Sequence, residues 1–162
     1  MIFFSAWKKT RIADLTPGKI YTIKGKVCAS SPSPLVLPPS KMPCVYYTIL
    51  EERFGKGARG AGRALWFPDK MESRSCEFSI SDDSGEIVIR EKGERLSVKG
   101  AHREAGLVRG NRKRRYTASL LKVGDIVVVR GYVDAASHAE KEHFMSAPLN
   151  GVMKVRVSRR SG

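Results

Sequence analysis

The chain has no apolar run approaching the roughly 18–20 residues that cross a bilayer as a helix. It also lacks paired cysteines. Cys28, Cys44 and Cys76 are widely spaced and form no CxxC, which excludes a zinc knuckle and a dithiol redox motif. Reduced, buried thiols are the simplest reading, with a single Cys28–Cys44 bridge as the alternative. No GxSxG elbow, HExxH or kinase signature is present. GKGARGAGRA, Gly55 to Ala64, has the glycines of a phosphate-binding loop but not the GxxxxGK[ST] order, and no helix start follows it. His138 and His143 stand five apart in HAEKEH, a spacing that does not share a helix face, so no metal site is expected there. Asp82, Asp83 and Glu86 do not continue into a calcium loop and read as turn residues. No enzyme, cofactor, metal or small-molecule substrate is expected.

Acidic residues are also scarce. Lys and Arg number 30 against 16 Asp and Glu, a formal net charge of +14. The excess is spread evenly, 13 basic against 6 acidic residues up to Ser81 and 17 against 10 after it. A detachable basic tail is therefore excluded. Such a field favours polyanions or an anionic membrane surface and is silent about fold. The 162 residues suit one domain, which at this size buries about 70% of its unfolded surface. MIFFSAWKKTR has too short an apolar block for the core of a signal peptide. Residues 1–14 read as an N-terminal extension that packs on the domain, with a remnant membrane segment or a patch resting on a membrane as alternatives. Residues 15–162 read as the domain, with a cytoplasmic location expected and a membrane-peripheral one as the other option.

What is present is mostly strand. LTPGKIYTIKGK opens on a Pro-Gly turn and then alternates, with Lys24 and Lys26 on one side and Tyr21 and Ile23 on the other. SSPSPLVLPPSKMP holds five prolines and reads as an extended loop. CVYYTILEERF is rich in β-branched and aromatic residues and predicts a strand, with Tyr46 and Tyr47 on opposite sides. Trp66 and Phe67 lead to a short strand, CEFSI. SDDSGEIVIRE predicts a hairpin. Arg90 to Arg115 shows no apolar period and reads as irregular, and TASLLKVGD as a short helix or turn closed by Gly124. DIVVVRGYVDA predicts a core strand, in which an aspartate at Val128 is expected to unfold the domain. VMKVRVSRR predicts a final edge strand with a basic rim. The fold expected is all-β, a small antiparallel OB-like barrel of about five or six strands with long basic loops, an open sandwich being the alternative.

The order of several pieces resembles the GIDE domain, the membrane-adjacent OB-like barrel of Mulan-type ubiquitin ligases and of many prokaryotic proteins. The likeness covers about Gly18 to Val133. It is carried by Cys44-Val45-Tyr46-Tyr47, Trp66, Phe78 with Asp83-Ser84-Gly85 and Ile87-Val88-Ile89, then Leu121 with Gly124-Asp125 and Gly131. The acidic residue common after the family's tyrosine is absent, since Thr117, Ala118 and Ser119 follow Tyr116. Ligase activity does not follow, because a RING needs paired Cys and His ligands for two zinc ions. The chain's six Cys and His are unpaired. What the resemblance implies is a recognition barrel, its fold carried over more safely than its function.

The candidate contact residues are the cations of two segments, Lys56, Arg59 and Arg63, and Arg109, Arg112, Lys113, Arg114 and Arg115. Gathered beside a barrel face, they would suit an unidentified protein or an anionic membrane surface. A sequence-tolerant single-stranded nucleic acid is the alternative partner, and it needs aromatic platforms. Tyr46, Trp66 and Tyr116 are the candidates, with Tyr21 and Tyr47 behind them. A purely solvating role for the charge is the third reading.

Overall fold

The computed structural model describes residues 8–29, 35–55, 65–90, 95–135 and 143–158, which hold thirteen strands, one 3-10 turn at Ile12–Asp14 and no α-helix. The strands are β1 (Lys19–Ala29), β2 (Leu35–Val36), β3 (Pro43–Cys44), β4 (Tyr46–Gly55), β5 (Leu65–Ser75), β6 (Phe78–Asp82) and β7 (Gly85–Ile89). They continue with β8 (Leu96–Lys99), β9 (His102–Leu107), β10 (Arg114–Leu121), β11 (Ile126–Asp134), β12 (Phe144–Ser146) and β13 (Met153–Val157).

Five of these close into a barrel in the order β1, β6, β7, β12, β11 and back to β1. Counted along the chain they are the first, second, third, fifth and fourth barrel strands, an OB-like Greek-key arrangement. A closed ring with an odd number of strands cannot alternate direction at every step, and here β7 and β12 run parallel. The barrel is therefore mixed rather than antiparallel throughout. Strand β1 closes the ring by pairing twice, with β11 over Lys19–Lys26 and with β6 over Lys26–Ala29. Gly25 sits where it changes partner. A Cβ there would fall on the Ser81 carbonyl oxygen and 2.7 Å from Ile80 Cγ2, so only glycine lets the two strands come this close. Beyond β11 the sheet continues through β13 to β8, a parallel pair. The VMKVRV segment is thus an interior strand, and the short β8 forms the edge.

The segments inserted between barrel strands build a second sheet, in the order β5, β4, β10, β9. Strands β4 and β5 come from the first insertion and β9 and β10 from the second, and β4 pairs antiparallel with β10. The proline-rich stretch is not a plain loop where it is described. Strands β2 and β3 pair as a ribbon that lays Leu37 into a core with Cys44, Tyr47, Ile49, Tyr116, Ala118 and Leu120. The barrel has its own core, which includes Ile23, Phe78, Ile80, Val127, Val129, Met145 and Val155.

The two cores meet at one cross-strand step. Tyr46 is paired with Leu121 and both belong to the barrel core; Tyr47 is paired with Leu120 and both belong to the second core. Successive side chains of a strand point to opposite faces, so both faces of β4 and β10 are covered here. That explains why TASLLKV forms a strand rather than the expected helix or turn. A Leu-Leu step with both faces buried has no alternation to show. Likewise, Arg90 to Arg115 holds β8 and β9 where irregular chain was expected, because β9 is an edge strand exposed along most of its length. The short strand expected at CEFSI is β6, and no strand was expected over β5. Strand β5 spans eleven residues of mostly polar sequence, held by pairing with β4 rather than by burial.

Where it is described, the N-terminal extension packs on the barrel. Ile12 and Leu15 are buried in the barrel core, and Thr10 donates its backbone N–H to the Thr22 carbonyl at 2.8 Å. Asp82 holds this segment. Its Oδ2 accepts from the Ile12 N–H at 2.9 Å, while Oδ1 accepts from the Ser84 N–H at 2.7 Å, the Ser84 hydroxyl at 2.6 Å and the Gly85 N–H at 3.0 Å. Burial on its own raises the Asp82 pKa, but the bonds from Ser84, Ile12 and Gly85 outweigh it and hold the carboxyl below its ordinary value. The MIFFSAW reading falls on residues outside those described.

Two outcomes are expected. Asp82→Ala should destabilise by about 1–3 kcal/mol, since it strands several N–H donors. A carboxyl lowered in the folded state stabilises above its unfolded pKa of about 3.9, and that stabilisation is lost as pH falls through the folded value. The stability difference between wild type and variant should therefore shrink in acid titrations of the melting temperature. A second outcome concerns Val128, which is buried as expected but on the face of β11 away from the barrel core, in register between Lys24 and Arg156, whose cations could pair with a carboxylate there. Val128→Asp should leave a folded protein, whereas Val129→Asp, with its carboxylate in the core, should abolish cooperative unfolding by circular dichroism.

Candidate binding surface at the end of the second sheet

The basic run at Arg109 to Arg115 is a tight turn and the start of a strand. Val108 donates to the Arg114 carbonyl at 2.9 Å, Asn111 to the Val108 carbonyl at 2.9 Å, and the Lys113 N–H to Asn111 Oδ1 at 2.9 Å. Gly110 takes φ +77°, a conformation glycine adopts without steric cost. This turn leaves Arg109, Arg112 and Lys113 exposed at its tip.

Arg114 and Arg115 differ from them. Arg114 forms an ion pair with Asp69, the extra residue of a bulge where Glu51 pairs with Lys70 and Glu52 with Pro68. Arg115 donates through Nε to Glu52 Oε1 at 3.0 Å and lies 4.2 Å from the Trp66 ring centroid. These two cations hold the sheet together, and their half-buried positions leave the outward charge to the other three.

The Phe54 N–H donates to the Lys113 carbonyl at 2.7 Å, which places the end of β4 beside the turn. The described flanks of the β4–β5 connection, Gly55 and Leu65, lie at this same end of the second sheet. Lys56, Arg59 and Arg63 themselves fall outside the described residues. That end is about seven residues along β10 from the junction with the barrel, roughly 25 Å at strand rise. The described cations of the turn thus lie away from the barrel face rather than beside it.

Sequence reading missed the apolar component. Leu65 is 54% exposed, Leu107 58% and Phe54 40%, all at this end of the sheet. The Phe54 and Trp66 rings are in tilted contact, with centroids 5.3 Å apart. The signal was present in EERF and LWF on either side of the glycine-rich loop, but without the pairing of β4 with β5 nothing brings Phe54 to Leu65.

The proposed aromatic platform is not assembled. Tyr46 lies in the barrel core and Tyr116 in the second core, beneath Gly106. Tyr116 donates its hydroxyl to Glu104 at 3.4 Å, and burial followed by the Glu104 charge raises its pKa. The Trp66 face is covered by Arg115. On the β6–β7 side, where OB barrels commonly carry ligands, Ser79 donates to Glu86 and no cluster of cations is found among the described residues.

The cysteines are all free. Burial, then the neighbouring Cys76, pushes the Cys44 thiol up to about 11, which makes it a packing residue rather than a nucleophile. Cys28 lies 3.3 Å from the Ser81 hydroxyl. An open groove runs between the β2–β3 ribbon and β5, lined by Leu35, Val36, Pro38, Lys41, Tyr47 and Arg74. Tyr47 there donates to Glu72 at 3.3 Å, and burial and Glu72 raise its pKa. His138 falls outside the described residues. Among the described residues no group of three His, Cys, Asp or Glu side chains converges as a metal site, and no helix is long and apolar enough to cross a membrane. Comparison with protein-family models, curated proteins and solved structures finds no match to the chain, so the likeness to GIDE domains rests on the residues quoted for it.

Separate roles for the cations give an expected outcome. Arg115→Ala should red-shift Trp66 emission and cost about 1 kcal/mol through the lost cation–π contact and ion pair. Replacing Arg109, Arg112 and Lys113 together with glutamine should leave stability within about 0.5 kcal/mol. Equal losses in the two variants by chemical denaturation would remove the distinction.

Proposed function

We propose that this chain is a non-catalytic binding module that docks on an anionic membrane surface, through the free end of its second sheet. The observation that carries the reading is the coincidence there of exposed apolar side chains, Phe54, Leu65 and Leu107, with three outward cations, Arg109, Arg112 and Lys113. Stable peripheral binding takes two signals, apolar insertion and charge attraction. A cation near an anionic leaflet contributes about 1 kcal/mol, and partial burial of the two leucines and Phe54 adds the second signal. The likeness to GIDE domains, which lie beside membranes, supports the same reading. So does the position of the surface, far along the sheet from the barrel, where contact leaves the fold undisturbed. A partner protein held at such a membrane is the alternative that the same surface serves. Base stacking at this end has less support, since Tyr46 and Tyr116 are buried and Arg115 covers Trp66.

Sedimentation with vesicles tests it. Binding should need phosphatidylglycerol or phosphatidylserine and be weak on phosphatidylcholine alone. Arg109→Gln, Arg112→Gln and Lys113→Gln combined should weaken it by about 3 kcal/mol, on the order of a hundredfold. Leu65→Ser with Leu107→Ser should weaken it at high salt as well, where charge is screened. Binding that both variants retain in full, or equal binding to neutral vesicles, would refute the assignment.

A further inference from the structure

A second concentration of positive charge lies on the outer face of the barrel's extended sheet, and the turn at Arg109 to Arg115 does not contribute to it. Strands β1, β11, β13 and β8 are consecutive neighbours. Their outward positions carry Lys24 and Lys26 on β1, Arg130 on β11, Lys154 and Arg156 on β13, and Lys99 on β8, alternating with residues of the barrel core. Five of the six are exposed, and Arg130 is half-buried with Nη1 donating to Thr22 at 2.9 Å. The register aligns them in rows. Lys24 is opposite Val128, Val128 opposite Arg156, and Arg156 opposite Lys99; Arg130 is opposite Lys154. No aspartate or glutamate occupies these paired positions.

Like charges directly opposite one another destabilise a sheet, and this face holds two such pairs. Neighbouring strands are about 4.8 Å apart and same-side residues about 6.8 Å apart along a strand. The cations therefore form a close lattice on a convex, twisted surface.

We infer that this face binds the phosphate backbone of a nucleic acid, without reading its bases. A bilayer is the weaker fit, because Val128 at the centre of the cations is only 9% exposed and the exposed apolar side chains of this face, Ile20 and Ile126, stand apart at opposite ends of the β1–β11 pair. An acidic protein would need an anchoring pocket at the centre of its contact, and the centre here is a row of like charges. A flexible polyanion needs only spaced cations and can follow a curved face. The surface is distinct from the proposed membrane contact and from the β6–β7 side of the barrel.

The test is fluorescence anisotropy of a labelled oligodeoxythymidylate between about 50 and 200 mM salt, with vesicle sedimentation run on the same variants. With Lys24, Lys26, Lys99 and Arg156 each contacting a phosphate, the log–log slope of affinity against salt should be near −3 on a single strand. Lys24→Gln, Lys26→Gln, Lys99→Gln and Arg156→Gln combined should flatten it by about three units, and each alone by about 0.7. Oligodeoxyadenylate should bind equally, and the Arg109, Arg112 and Lys113 triple variant should keep its affinity for the oligonucleotide while losing vesicles. The inference is overturned if wild type fails to bind at the lowest salt, if the quadruple variant binds unchanged, or if it loses vesicles but not the oligonucleotide.

Discussion

Everything in this fold depends on one step of strand pairing, Tyr46–Tyr47 against Leu121–Leu120. Neighbouring residues of a strand face opposite ways, and here each way leads into a core. The barrel takes Tyr46 and Leu121, and the second sheet takes Tyr47 and Leu120. Neither core is complete without the step. Val45 reinforces it, donating to the Leu121 carbonyl at 2.8 Å and accepting from the Cys76 N–H at 3.0 Å. Long insertions into a small barrel would otherwise be loops with unpaired backbone groups. Joined here, they become a second layer with a core of its own.

That anchoring sets where the proposed contact can form. Strands β4 and β10 are held firmly at the junction and run outward to an end with little beneath it. Ion pairs from Arg114 to Asp69 and from Arg115 to Glu52 hold the strands together along the way. Strand β5, a long edge, is kept from pairing with other chains by Pro68, the bulge at Asp69 and the charge of Lys70. The result is an arm with an amphipathic end, while the barrel contributes a separate basic flank.

Part of this was legible in the sequence. Barrel strands that bury one face showed their alternation, as in Tyr21 and Ile23 of β1, and the turn at Asp83 and Ser84 announced its hairpin. The OB-like class followed from such segments. The second sheet was not legible for two opposite reasons. At the junction both faces of β4 and β10 are buried, so Leu120–Leu121 lost its alternation; at the edges, β5 and β9 bury little and never had one. Val128 is buried as read, but an unbroken valine run does not reveal that Val127 and Val129 face the barrel core while Val128 faces the other way. The basic residues were visible by type, but the division among those of the turn was hidden. Whether an arginine serves the sheet or faces outward depends on Asp69 and Glu52, which are distant in sequence and reach it only through pairing. The cations of the barrel flank were visible singly as Lys24, Lys26, Lys154 and Arg156, and only the strand order makes them one surface.

Native-state hydrogen exchange at the junction bears most directly on this picture. If one step of pairing joins the two cores, the amides of β4 and β10 near Tyr47 and Leu120 should exchange only through global unfolding, with the same free energy as Val127 and Val129 in β11. Leu120→Ala should then lower both sets together. A second sheet that opens at a clearly lower free energy than the barrel, or a Leu120→Ala variant that lowers only its own sheet, would contradict the account.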